Sequence, residues 1–205
     1  MSSRINDRLP ADIRAYFAAS GGGKTHNMLQ DCKHDKRVLA FDPTGALSAQ
    51  GFTGIQDFRQ YAKAVRNSGV VRLAFEAGGS ANFALWCELM MAQADARRPT
   101  TVVVDELGGV TTPSKAPEHW HNVISLGRKY GLKIRAGAQR APEIDKTLIG
   151  NKTQLWIGFQ SRAADAEYLA RETDIPVEEI KALRPTPHYD AIVFRGRDNY
   201  SIKRR

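Results

Sequence analysis

Residues Tyr16–Leu29 read YFAASGGGKTHNML. An apolar run passes into three consecutive glycines, then Lys-Thr, then a helix-forming segment. Strand, glycine loop, Lys-Thr and helix, in that order, is the context a phosphate-binding P-loop requires. Glycine permits the dihedrals that turn successive backbone N–H groups inward on phosphate oxygens. The positive end of the following helix adds to the attraction. Ser20, Gly21, Gly22 and Gly23 are therefore the expected cradle for ATP. Lys24 is the expected cation for the terminal phosphates, and Thr25 the hydroxyl ligand of Mg²⁺. The strict pattern is G-x-x-x-x-G-K-[ST], and Ala18 stands where its first glycine belongs.

A P-loop specifies a nucleoside triphosphate and no more. The other half of such a site is a carboxylate at the end of a second strand. Thr100–Glu106, TTVVVDE, is β-branched and apolar up to its last two residues, as a strand buried on both faces should be. Ligands of parallel sheets bind beyond the carboxyl ends of the strands. Asp105 is thus expected to hold Mg²⁺, and Glu106 to orient and polarise an attacking water. Gln139 follows the strand LKIRAGA, expected beside the Asp105 strand, where an amide can sense the γ-phosphate or position water.

Outward from these motifs the chain alternates short strand-like runs with helical patterns. Strands are expected at Ile13–Ala18, Arg37–Asp42, Val70–Phe75 and Thr100–Glu106, and again in LKIRAGA and TQLWIGFQ. Helices are expected over 24–32, 54–65, 82–96 and 118–130 and in AADAEYLARET. A terminal β-hairpin is expected around Gly196-Arg197. This alternation implies βαβ units: an α/β fold with a mostly parallel central sheet flanked by helices, as one domain over 1–205.

Composition narrows the classes. With 205 residues and 42% apolar content the chain can bury a sizeable core. Lys and Arg exceed Asp and Glu by 30 to 22, a net charge of +8 that favours polyanionic partners. Two cysteines, Cys32 and Cys87, make no disulfide framework and are expected reduced. No apolar run reaches the ~18–20 residues that span a bilayer, and MSSRINDRLP is not a secretory signal. The pair in His119-Trp120-His121 faces different sides of a helix, so it is read as ordinary histidines around a core tryptophan. The loop Gly108–Pro117 with Lys115, and the tail SIKRR, are open to contact with phosphates. Asp42 ends a strand as a structural cap or near the nucleotide.

Taken together, AASGGGKT, TTVVVDE and GRKYGLKIRAGAQRAPEIDKTLIGNKTQLWIGFQS resemble the FtsK–HerA superfamily of DNA-pumping P-loop ATPases. The last segment is the specific one: Gly127-Arg128, Gln139-Arg140, Pro142 and Phe159-Gln160 follow in the family's order, and the likeness covers about residues 13–172. Ala18 departs from the family pattern, as does Gln-Arg-Ala-Pro where many relatives have Gln-Arg-Pro. The small size resembles the genome-packaging ATPases of tailless, membrane-containing icosahedral viruses. The resemblance implies a RecA/FtsK-like fold and an ATP-driven translocase that packages double-stranded DNA into a preformed capsid, without sequence preference. It assigns the phosphate and metal roles to Lys24, Thr25 and Asp105, the water to Glu106 and the sensor to Gln139. It further implies a homo-oligomeric ring, a hexamer, with an arginine donated by a neighbour: Arg128 first, Arg140 second. A capsid-vertex or viral membrane protein would be its partner, in the host cytoplasm or the virion. The alternatives are a filamentous-phage assembly ATPase of the zonula-occludens-toxin type and a small P-loop kinase.

Overall fold

The computed structural model describes residues 3–66 and 69–204. Among the described residues nine strands form one sheet. They are β1 Ile13–Phe17, β2 Arg37–Phe41, β3 Thr53–Ile55, β4 Val71–Phe75, β5 Thr100–Val104, β6 Leu132–Ala138, β7 Gln154–Ile157, β8 Ala191–Phe194 and β9 Tyr200–Lys203. Their spatial order is β3-β4-β2-β5-β6-β1-β7-β8-β9. Every pairing from β3 to β7 is parallel. The last two strands fold back antiparallel, as the expected hairpin. Among the described residues seven α-helices connect them: α1 Lys24–Asp31, α2 Phe58–Val65, α3 Ser80–Gln93, α4 Glu118–Leu126, α5 Lys146–Asn151, α6 Ala163–Thr173 and α7 Val177–Lys181.

The side-chain period of two divides the core into two layers. In β1, Ile13, Ala15 and Phe17 join a large cluster with α2 through α7. Tyr16 and Ala18, on the other face, join a smaller one with Met28 of α1, Cys32 at its C-cap, and Leu47 and Phe52 of the segment before β3. Trp120 of α4 is fully buried in the larger layer, as the core reading requires, and its Nε1 donates to Asp145.

Two expectations need correction. Residues 54–65 were expected as one helix, but Thr53–Ile55 pairs as the edge strand β3, and Asp57 caps a helix that begins at Phe58. The helix expected over 118–130 ends at Leu126 and finishes in a 3₁₀ turn, Gly127–Tyr130. The short helices α5 and α7 were not foreseen. Of the basic tail, Arg205 lies outside the described residues.

Candidate active site

The loop from β1 into α1 is built by glycines at their conformational limit. Gly21 and Gly23 have φ of +72° and +82°, which side chains disfavour. Gly22 is needed for close approach instead: a Cβ there would lie 2.8 Å from the Ala18 methyl and 2.9 Å from the Ala19 carbonyl oxygen. The loop is pinned from outside. Ala19 N donates to Phe159 O at 2.9 Å, and Thr186 Oγ1 donates to Gly21 O at 3.2 Å. Asn27 closes the first helical turn, its backbone and side-chain nitrogens both donating to Gly23 O.

Register then brings the carboxylates to this loop. β5 and β6 pair in parallel, and β6 pairs with β1, so all three end together. Lys24 Nζ donates to Asp105 O at 2.5 Å and lies 3.3 Å from Asp105 Oδ1 and 3.5 Å from Glu106 Oε2. Thr25 Oγ1 lies 2.9 and 2.8 Å from the two Asp105 carboxylate oxygens and donates to that carboxylate. The hydroxyl–carboxylate pair is a hard-oxygen donor set that fits Mg²⁺, which takes its remaining ligands from water and phosphate. Among the described residues no three His, Cys, Asp or Glu side chains gather to hold a metal by themselves. That suits a metal carried in with a nucleotide.

These groups open onto one cavity of about 840 Å³. Ser20 through Thr25 line it, as do Asp105, Glu106 and Gln139. Gln139 is exposed at the end of β6, and its amide makes no hydrogen bond among the described residues. Gly137 permits the arrangement: a Cβ there would come within 2.9 Å of Lys24 Cδ and 3.2 Å of Asp105 O.

The two arginines are placed elsewhere. Neither lines the cavity. Arg128 lies in the 3₁₀ turn before β6, at the end of the sheet opposite the glycine loop, and Nη1 donates to the carbonyls of Asp7 and Leu9 at 2.8 and 2.5 Å. Arg140 follows β6 but grips Asp165 of α6 with two bonds of 3.0 Å and also pairs with Glu143. His119 pairs with Glu88, and His121 lies beside Ser125, both away from the cavity.

Two cavity residues were unassigned or missed. Asp42 lines the cavity, but its carboxylate caps the turn after β2, accepting from Thr44 Oγ1 and Leu47 N at 2.8 Å each. Tyr189 lies beside Gly23, 3.2 Å from where its Cβ would project, and has φ +49°. Nothing local in RPTPHYD announces that this segment folds over the glycine loop. The ion pair of Arg184 with buried Asp190, at 2.7 Å, and the bond from Thr186 to Gly21 hold the fold-back.

No family model matches the chain. It is 30% identical over 189 residues to Protein P9 of Pseudoalteromonas phage PM2, covering 90% of this chain and 85% of that protein. It is similar in structure to the genome packaging NTPase B204 from Sulfolobus turreted icosahedral virus 2 in complex with AMPPCP, with TM-score 0.77 and 12% identity over 93% of this chain and 96% of that one. Similar too is B204, the DNA-packaging ATPase from Sulfolobus turreted icosahedral virus, with TM-score 0.75 and 12% identity over 95% and 97% of the two chains. At such identities the structural likenesses establish the fold, that of a P-loop NTPase. The sequence likeness establishes more: the chain belongs to the family of Protein P9 of phage PM2.

Proposed function

We propose that this protein is an ATP-driven DNA translocase that packages double-stranded viral DNA into a preformed capsid. One observation carries the enzymatic part: Lys24, Thr25, Asp105 and Glu106 converge at the mouth of the glycine loop, with Lys24 and Thr25 both bonded to Asp105. The glycine loop cradles the phosphates, and Lys24 holds the β- and γ-oxygens. Thr25 and Asp105 would hold Mg²⁺, which when bound neutralises charge on the phosphate oxygens. Glu106 orients water in line with the γ-phosphate and accepts its proton. Gln139, at the same opening, reports whether the γ-phosphate is present. Tyr189 offers a ring face at the cavity wall for the nucleoside.

The cavity holds no arginine among the described residues. A charge supplied by a neighbouring subunit supports the ring reading, and such a charge is worth about 10³–10⁵ in rate. Arg128, at the far end of its own sheet, is the first candidate for that charge and would first have to release the carbonyls of Asp7 and Leu9. Arg140 would first have to release Asp165. The packaging role is supported by membership of the P9 family and by the fold shared with B204, whose printed descriptions name genome packaging. Among the described residues no helix is long and apolar enough to cross a membrane. A capsid-vertex or viral membrane protein would anchor the ring, in the host cytoplasm or the virion.

The test is phosphate release from ATP with no DNA, single-stranded DNA or double-stranded DNA. Stimulation by the duplex is expected, fading with salt. Lys24→Ala should lose both binding and turnover, and Glu106→Gln should bind ATP without turning it over. Transfer of phosphate to a nucleoside instead of release would replace the motor with a kinase.

A further inference from the structure

Gln139 and Arg140 are neighbours in the chain, yet they serve opposite sides of it. Arg140 has extended backbone, with φ −132° and ψ 119°, and successive side chains of an extended chain point to opposite faces. Gln139 opens onto the nucleotide cavity. Arg140 turns away from it to α6, where its Nε and Nη2 donate to the two carboxylate oxygens of Asp165, each at 3.0 Å. This is the bidentate fork, which fixes geometry as well as charge. Its remaining nitrogen, Nη1, pairs with Glu143 of the 3₁₀ turn Ala141–Glu143 that follows.

Both ends of the fork stand on packed structure. Asp165, in the first turn of α6, is 2% exposed, and Ala166 and Leu169 beside it anchor that helix in the larger core layer. Ala141 and Ile144, just after Arg140, are buried in the same layer. Gln139 has no such support. It is exposed, its amide makes no hydrogen bond among the described residues, and the pairing of β6 with β1 ends one residue earlier, at Ala138. Past that point the fork ties the chain to α6. A buried ion pair is weak evidence of stabilisation, since packed apolar residues do as well; what a fork adds is a fixed position. Giving Arg140 up to a neighbouring subunit would also leave the buried Asp165 carboxylate without its counter-charge.

We propose that Arg140 acts within its own subunit as a positioning residue: by gripping Asp165 of α6 it holds Gln139 where the γ-phosphate of a bound nucleotide ends. The proposal rests on the reading of Gln139 as the γ-phosphate sensor. It gives Arg140 a task in the cavity of its own chain, reached through Gln139 and not by contact with the nucleotide.

The test uses the full chain and separates position from stability. Arg140→Ala strands the Asp165 carboxylate and should lower the melting temperature. Arg140→Ala/Asp165→Asn removes the stranded charge and should melt near wild type. In that double variant the preference for a non-hydrolysable ATP analogue over ADP should still fall by about tenfold, the weight of one hydrogen bond to a charged group, and kcat should fall with it. Arg140→Lys keeps a charge opposite Asp165 without the fork; it should fold and lose part of the preference, and it carries the test if the double variant does not fold. Adding Gln139→Ala to the double variant should leave it no worse than Gln139→Ala alone, because both changes remove one interaction. Mixed with Glu106→Gln, the double variant should regain no turnover. Wild-type preference and kcat in the folded double variant, or in Arg140→Lys if that alone folds, overturn the proposal and leave the fork a structural ion pair. Losses that add to those of Gln139→Ala overturn it too, as does recovery in the mixture, which would make Arg140 the donated charge. Gln139→Ala with the wild-type preference removes the sensor reading and the proposal with it. Gln139→Ala without that preference, beside a double variant that keeps it, sinks the positioning role alone.

Discussion

Ala18 breaks the strict P-loop pattern, and the packing explains how it is accommodated. Its methyl lies 2.8 Å from the Cβ that Gly22 lacks and 3.0 Å from the one that Gly158 lacks. Three small residues thus share one space, and a side chain at Gly22 or Gly158, or a larger one at Ala18, would collide there. Gly137 is a further case, invisible in any motif. A Cβ at that position would press on Lys24 Cδ and the Asp105 carbonyl, at 2.9 and 3.2 Å. Gly137→Ala should therefore lower kcat by about 10²-fold, because small misplacements of positioning groups cost that much. Thermal unfolding should move by only a few degrees, since the shift is local. Steady-state kinetics beside a melting curve decide it; a variant with wild-type kcat would mean that Lys24 has slack to move.

At the scale of elements, the strand starts are held by ion pairs. Arg135 of β6 is 1% exposed and is met by both Asp12 oxygens, at 2.9 and 2.7 Å. Burial alone would raise the Asp12 carboxyl, but Arg135 and Arg14 hold it below the usual range. A depressed folded value means that its stabilisation is present above the unfolded pKa, about 3.9, and is lost as pH falls through the folded value. Asp12→Asn leaves Arg135 buried without its counter-charge. It should cost about 3 kcal/mol at neutral pH, the low end for a broken buried pair because Asp12 is partly solvated. That corresponds to roughly 6–12 °C in Tm. The gap to wild type should narrow below about pH 4, and equal melting at pH 7 would show the pair to be dispensable. Local caps start α2 and α5: Asp57 accepts from Gln60 N and Asp145 from Leu148 N. α2 lies within the helix expected over 54–65, whereas α5 is not legible, since a helix of one or two turns leaves too little period to read and owes its stability to tertiary packing.

At the scale of the whole molecule, the ring reading makes a prediction that single variants cannot. Arg128→Ala and Glu106→Gln should each be nearly inactive alone. Mixed, they should regain turnover, because some interfaces join the intact Glu106 of one variant to the intact Arg128 of the other. Phosphate release from mixtures at fixed total protein measures this. If Arg140→Ala complements and Arg128→Ala stays active, the donated arginine is Arg140. Turnover per subunit should also rise with protein concentration as rings assemble.

The sequence by itself determined the α/β class, the glycine loop, the strand carrying Asp105 and Glu106, and the terminal hairpin. These are local matters: dihedrals that only glycine permits, a β-branched run buried on both faces, and turn residues where the chain reverses. The sequence places LKIRAGA beside the Asp105 strand; the tertiary structure decided that β6 also pairs with β1, which carries Asp105, Glu106 and Gln139 to Lys24. It also decided that Arg128 lies at the far pole, that Arg140 is engaged by Asp165, and that Tyr189 covers the loop. Those juxtapositions join residues tens of positions apart. They arise from the packing of whole layers, where register and burial outweigh any preference the intervening sequence carries.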